Sequence, residues 1–114
     1  MDWTKPTTQL LGRFQPWHQG HTELFKRALA KTGQVIIMLR ESDGTEDNPY
    51  SFPVRKGMIQ KHLKEFDGKY EIIDVPNITH ITYGRDVGYT IEEEQLPEEV
   101  EKISATDIRN AELR

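Results

Sequence analysis

The hydrophobic pattern between residues 7 and 75 switches repeatedly between the short period of a strand and the longer period of a helix. No other feature so narrows what this chain can fold into. Residues 7–14 read as a short strand, broken by Pro16. From Gly20 onward Leu24, Phe25, Ala28 and Leu29 recur at helical spacing, and Gly33 closes the run. Residues 34–40 are apolar and β-branched in their middle, as suits a strand buried on both faces of a parallel sheet. A polar loop over 41–52 follows. Pro53 then fits the start of a second amphipathic helix carrying Met58, Ile59, His62, Leu63 and Phe66 and stopped by Gly68. Residues 70–75 form a third strand, ended by Pro76. Strands separated by helices of this length read as right-handed crossover units. The expectation is therefore an α/β fold around a parallel sheet.

Residues 78–83 and 88–94 both alternate like strands, which leaves a sheet of four or five strands, and residues 104–113 read as a terminal helix. At 114 residues, with no repeat and no linker, the chain is expected to be one domain over 1–114. The absence of cysteine excludes disulfide scaffolds, thiolate metal sites and cysteine nucleophiles. It is compatible with the cytoplasm. No apolar run approaches the roughly 20 residues of a membrane span, so membrane spanning and secretion are not expected. The net charge is −4, with basic residues gathered in the first half and acidic residues around 92–94 and 98–101. That balance argues against nucleic-acid binding, which needs a clustered cationic face. It leaves room for a small anion held by a few basic groups. The acidic stretches read as a solvated surface.

In an open parallel sheet, ligands bind beyond the carboxyl ends of the strands, beside helix N-termini. The first such junction is Gly12-Arg13-Phe14-Gln15-Pro16-Trp17-His18-Gln19-Gly20-His21. It combines a glycine, an arginine, two histidines three apart and the first turn of a helix, whose unpaired N–H groups attract phosphate. Gly20 permits close backbone approach. A histidine pair is by itself as compatible with a structural role, and its spacing without a third ligand is weak for a metal. Its place at the first strand–helix junction points to anion handling. A second constellation is Ser104, Thr106 and Arg109. Ser104 reads either as an ordinary helix cap, with Asp107 completing a capping-box-like pair, or as part of a second phosphate-gripping helix start.

The first of these segments closely resembles the G-R-F-Q-P-F-H-x-G-H entry of the HxGH nucleotidyltransferase superfamily, the cytidylyltransferase-like proteins. Within it, the likeness is greatest to archaeal-type nicotinamide mononucleotide adenylyltransferases. Residues 103–109 resemble their I-S-x-T-x-I-R element, and residues 48–59 their N-P-F-T-x-x-E-R-x-x-M-I segment. Trp17 replaces the usual Phe, and Val54 stands where Glu usually precedes Arg55.

The resemblance implies a Rossmann-like three-layer sandwich. It implies nucleotidyl transfer, in which a phosphorylated acceptor attacks the α-phosphorus of a nucleoside triphosphate accompanied by Mg2+ and displaces pyrophosphate. His18 and His21 would stabilise the transition state. Gly12, Arg13, Phe14 and Gly20 would line the nucleotide site, with Ser104, Thr106 and Arg109 on the phosphates. Trp17, Asn48, Arg55, Arg85 and Asp86 are candidates for the second substrate. Arg40 is a further candidate. No protein metal ligand is assigned. The likeness favours AMP transfer from ATP to an acceptor such as nicotinamide mononucleotide. A cytidylyltransferase acting on a small phospho-alcohol and a non-catalytic nucleotide-binding module are the alternatives. The chain is shorter than the family norm, the loss falling before residue 103, and a homo-oligomer is one way to supply the missing walls.

Overall fold

The computed structural model describes residues 1–41, 49–85 and 87–94. The elements run β1 (Thr8–Gly12), α1 (Gln19–Thr32), β2 (Val35–Arg40), α2 (Phe52–His62) and β3 (Tyr70–Val75). Both neighbouring pairs are parallel and the spatial order is β1-β2-β3. In register, Leu10, Ile37 and Ile72 form one row across the sheet, and Leu11, Met38 and Ile73 the next. Parallel partners share a face, so the two rows point to opposite sides.

Both crossovers step in the same direction along the sheet. Right-handed connections of that kind place their helices on one side. A single core results, in which Phe25 and Ala28 of α1 and Ile59 of α2, with Leu63 just beyond it, meet Leu10, Val35, Ile37 and Leu39. Val35, Ile37 and Leu39 are completely buried, whereas Ile36, Met38 and Arg40 between them are only half-buried. The expectation that β2 is buried on both faces is thus corrected. Among the described residues, helices cover one face of the sheet. A continuous apolar run marks a buried strand but cannot say whether both of its faces are covered.

Element ends follow local chemistry. Gly33 ends α1 in the left-handed conformation (φ 80°), its N–H donating to the Leu29 carbonyl at 2.7 Å. Pro53 lies within the first turn of α2, after Ser51. That helix stops earlier than Gly68 implies, at His62, and continues through Leu63 into a short 3-10 turn at Lys64–Phe66. Gly68 (φ 86°) instead makes the turn into β3.

The strand candidates at 78–83 and 88–94 are also corrected, since neither segment is in a strand. Pro76, two residues before the first of them, lacks an N–H for a ladder. Arg40 Nη1 then donates to the Ile78 carbonyl at 3.1 Å, using an acceptor that a strand would pair. Farther on, Glu92 and Glu94 pair with Lys31, and Arg27 lies 3.6 Å from Glu94, so this stretch runs beside α1. The acidic residues 92 and 94 are therefore salt-bridged to a helix as well as solvated. The expected terminal helix at 104–113 lies outside the described residues.

Candidate active site

The junction after β1 is built by a chain of close contacts. A Cβ on Gly12 would lie 2.8 Å from Phe14 Cζ, so glycine is what lets that ring fold back over its own strand. Phe14 itself is in the left-handed region (φ 51°), and Pro16 follows through a cis peptide bond. A non-glycine residue there costs about 1–2 kcal/mol. The packing of its ring offsets that cost. Phe14 meets Trp17 at 4.9 Å and the edge of His21 at 4.8 Å between centroids. Trp17 is 2% exposed and donates from Nε1 to Thr22 Oγ1 at 2.8 Å. Trp17 was a candidate for touching the second substrate. It is instead turned inward, fastening the loop to the first turn of α1. Phe14, expected to line the nucleotide site, is likewise buried beneath His21.

The two histidines close the start of α1 as a capping pair. His18 is the N-cap, and its Nδ1 accepts from the Gly20 N–H at 3.0 Å. His21, at the third helical position, accepts on Nδ1 from the His18 N–H at 3.1 Å. This is the reciprocal geometry usually made by Ser and Glu. It has a chemical consequence. With Nδ1 accepting, a neutral imidazole carries its proton on Nε2, so each ring keeps an Nε2–H donor beyond the cap. The rings stack with centroids 3.7 Å apart.

Burial, with the nearby His18 and His62, lowers the pKa of His21 to about 3. Burial and then the charge of His62 also lower that of His18. Near neutral pH the pair is therefore uncharged, and what it can offer an anion is N–H dipoles and the helix start rather than two positive charges.

Arg55 holds the junction to the second crossover. Its side chain is 1% exposed, and Nη1 donates to the carbonyls of Arg13 (3.0 Å) and Arg40 (2.9 Å). Arg55 thus ties the ends of β1 and β2 to α2, a positioning role in place of the expected contact with the second substrate. Its Nη2 is buried without a partner among the described residues, as is Arg40 Nε. Burial lowers the Arg55 pKa, opposed by Glu41 and Asp74. A guanidinium nevertheless keeps its charge.

A second tie is Gln15, which is buried, donates from Nε2 to the Tyr50 carbonyl and accepts on Oε1 from the Tyr50 N–H, both at 2.9 Å. The sequence reading missed Gln15. The signal available was an amide side chain placed between apolar neighbours in a tight turn.

The structure brings together Gly12, Phe14, Trp17, His18, Gly20 and His21, with the Arg13 carbonyl held by Arg55. The Arg13 side chain is exposed, as is Arg85 on the coil beyond β3. Asn48, Asp86, Ser104, Thr106 and Arg109 lie outside the described residues. Among the described residues no group of three or more His, Asp or Glu can hold a metal, and no helix is long and apolar enough to cross a membrane.

A helix start capped by paired imidazoles, at the carboxyl end of the first strand of a parallel α/β sheet, agrees with the comparison with known families. The cytidylyltransferase-like family model matches residues 10–87, more than half of the chain. The chain belongs to that family. Within it, the chain is 32% identical over 73 residues to a nicotinamide-nucleotide adenylyltransferase of Methanococcus maripaludis, a match covering 62% of this chain and 43% of the relative. It is 35% identical over 72 residues to that of Thermoplasma acidophilum, covering 60% and 40%. It is 38% identical over 69 residues to that of Picrophilus torridus, covering 59% and 40%. The matched stretch is thus about two-fifths of the length of these curated relatives.

Proposed function

We propose that this protein is a nucleotidyltransferase that moves AMP from ATP to a phosphorylated acceptor, nicotinamide mononucleotide being the first to test, with release of pyrophosphate. The observation that carries the reading is the pair of Nε2–H donors fixed by the Nδ1 caps at the start of α1. An oxygen of the acceptor's phosphate attacks the α-phosphorus, and the bond from that phosphorus to the bridging oxygen breaks. Negative charge then grows on the α-phosphate and on the departing pyrophosphate. Neutral N–H donors held in place by the backbone stabilise that charge without reorganising. Such transfer relies on positioning and charge stabilisation, so no nucleophilic side chain is needed.

Family membership and the adenylyltransferase relatives support the same reading. Mg2+ would arrive on the triphosphate oxygens and neutralise them, since His18 and His21 offer donors rather than metal-binding carboxylates. Ser104, Thr106 and Arg109 are proposed to grip the β- and γ-phosphates. A Rossmann-like three-layer sandwich belongs to the proposal. It is supported by the outer edge of β1 and by the half-buried second face of β2.

The test is pyrophosphate release by the full chain with each nucleoside triphosphate against a panel of phosphorylated acceptors. Release is expected with ATP and a mononucleotide, and loss of about 10²- to 10³-fold in His18→Ala and His21→Ala. Release with CTP and a phospho-alcohol would redirect the substrate. Nucleotide binding without release on any acceptor would make the protein a binding module. Wild-type rates in both variants would remove the histidines from the chemistry.

A further inference from the structure

Thr22 follows His21 near the start of α1 and is buried there. Threonine is a poor helix former, and the cap of this helix is already made by His18 and His21. Its hydroxyl has another use. Thr22 Oγ1 accepts from Trp17 Nε1 at 2.8 Å, and Trp17 immediately precedes His18. One hydrogen bond therefore joins the residue before the first imidazole to the residue after the second. The caps alone leave the two donors underdetermined, because each holds its ring by the Nδ1 edge. The tilt of the far edge, which carries Nε2, is set by whatever stands against the faces of the ring. For His21 those neighbours are His18, stacked at 3.7 Å between centroids with planes 23° apart, Phe14 in a T-shaped contact at 4.8 Å, and Trp17 at 5.4 Å. Phe14 in turn stands 4.9 Å from Trp17. Trp17 thus supports His21 both directly and through Phe14, and Thr22 fastens it to the helix that carries His21.

We propose that the Trp17–Thr22 hydrogen bond sets the angle between the two ring donors, which makes Thr22 and the Trp17 N–H positioning groups for nucleotidyl transfer. This rests on the nucleotidyltransferase reading above. Transfer needs both Nε2–H groups aimed at oxygens of the reacting phosphate, and hydrogen bonds weaken steeply as they bend. A bond with a structural role alone would lower stability when removed and leave the turnover of folded molecules unchanged.

The experiment measures pyrophosphate release by the full chain, with ATP and the acceptor that supports it, well below the melting temperature of each variant. Thr22→Val keeps the shape of the side chain and deletes the acceptor. Trp17→Phe keeps an aromatic ring and deletes the N–H. Each is expected to lower kcat about 10-fold and to leave KM for ATP within about 2-fold, as for donors misaligned in the transition state. The double variant is expected to lose about as much as Thr22→Val alone, since both changes remove the same bond. Thr22→Ser, which keeps the hydroxyl, is expected to recover most of the rate. The ring signals of His21 in nuclear magnetic resonance spectra should shift in Thr22→Val and return in Thr22→Ser. If Thr22→Val keeps wild-type kcat while His18→Ala loses it, the inference is overturned and the nucleotidyltransferase reading stands. A lower melting temperature with unchanged kcat, or unmoved His21 signals in Thr22→Val, overturns the inference in the same way. If the wild-type chain releases no pyrophosphate with any acceptor, the nucleotidyltransferase reading fails and takes the inference with it.

Discussion

Two stretches that follow strands, residues 12–22 and residues 76–94, solve the problem of leaving a strand in opposite ways. The first is tied at almost every step. Phe14 folds over Gly12, Trp17 bonds Thr22, His18 and His21 cap α1, and Arg55 and Gln15 fasten the turn to the second crossover. The second leaves Ile81, Tyr83, Val87, Tyr89 and Ile91 at least half exposed and is held to α1 by ion pairs between surface side chains. Buried, directional contacts fix geometry. Exposed charge pairs are screened by water and salt and hold it weakly. The function proposed above, two ring N–H groups presented to one phosphate, calls for the first kind of construction.

The comparison can be broken most severely at Arg55. Arg55→Met deletes the donor shared by the Arg13 and Arg40 carbonyls and should cost about 3 kcal/mol, seen as a fall of roughly 10 °C or more in melting temperature. Arg55→Lys should recover only part, because an ammonium cannot reproduce the planar fork. An unchanged melting temperature would show that the tie between crossovers is not structural.

Gly12→Ala comes next, at about 1–3 kcal/mol, because the new methyl group must displace the Phe14 ring that supports His21. Its turnover should fall with it, and retention of wild-type turnover would mean the ring does not position the histidine. Gln15→Leu should cost about 1–2 kcal/mol by leaving the Tyr50 backbone groups without their partner, measured by denaturant midpoint. In the second stretch, Lys31→Ala should scarcely change the melting temperature, and what change it makes should vanish at high salt.

Acid offers a sharper probe of the tied stretch. His21 has a folded-state pKa of about 3 against an ordinary 6.5, so below 6.5 the unfolded chain binds a proton that the folded chain does not. Stability from this group is fully present above pH 6.5 and is lost as pH falls from 6.5 towards 3. His18 contributes in the same direction. His21→Gln should flatten this part of the stability profile. An equally steep profile in the variant would place the proton uptake elsewhere.

The same contrast explains what the sequence made legible. β3 is found where its apolar run places it, and α1 ends where Gly33 stops it, because a strand run and a left-handed glycine are local properties. The histidine pair stands out in the sequence through its position at the first junction. Its capping role was hidden, because imidazoles rarely take the parts of Ser and Glu. Trp17 and Arg55 were assigned to substrate because motif position does not reveal which way a side chain turns. Alternation at 78–83 and 88–94 looked like strands because a two-residue period records which residues are apolar and not whether another strand is present to pair with. The Ile78 carbonyl is taken by Arg40, a contact between residues 38 positions apart that no local pattern announces.

The state of the two imidazoles is directly observable. Proton–nitrogen correlation spectra of the histidine rings should show His18 and His21 neutral near neutral pH, both with the proton on Nε2, and both Nε2 signals should move when Mg-ATP is added. Rings that are doubly protonated, that carry the proton on Nδ1, or that do not respond to the nucleotide would contradict a site built from two fixed, uncharged donors.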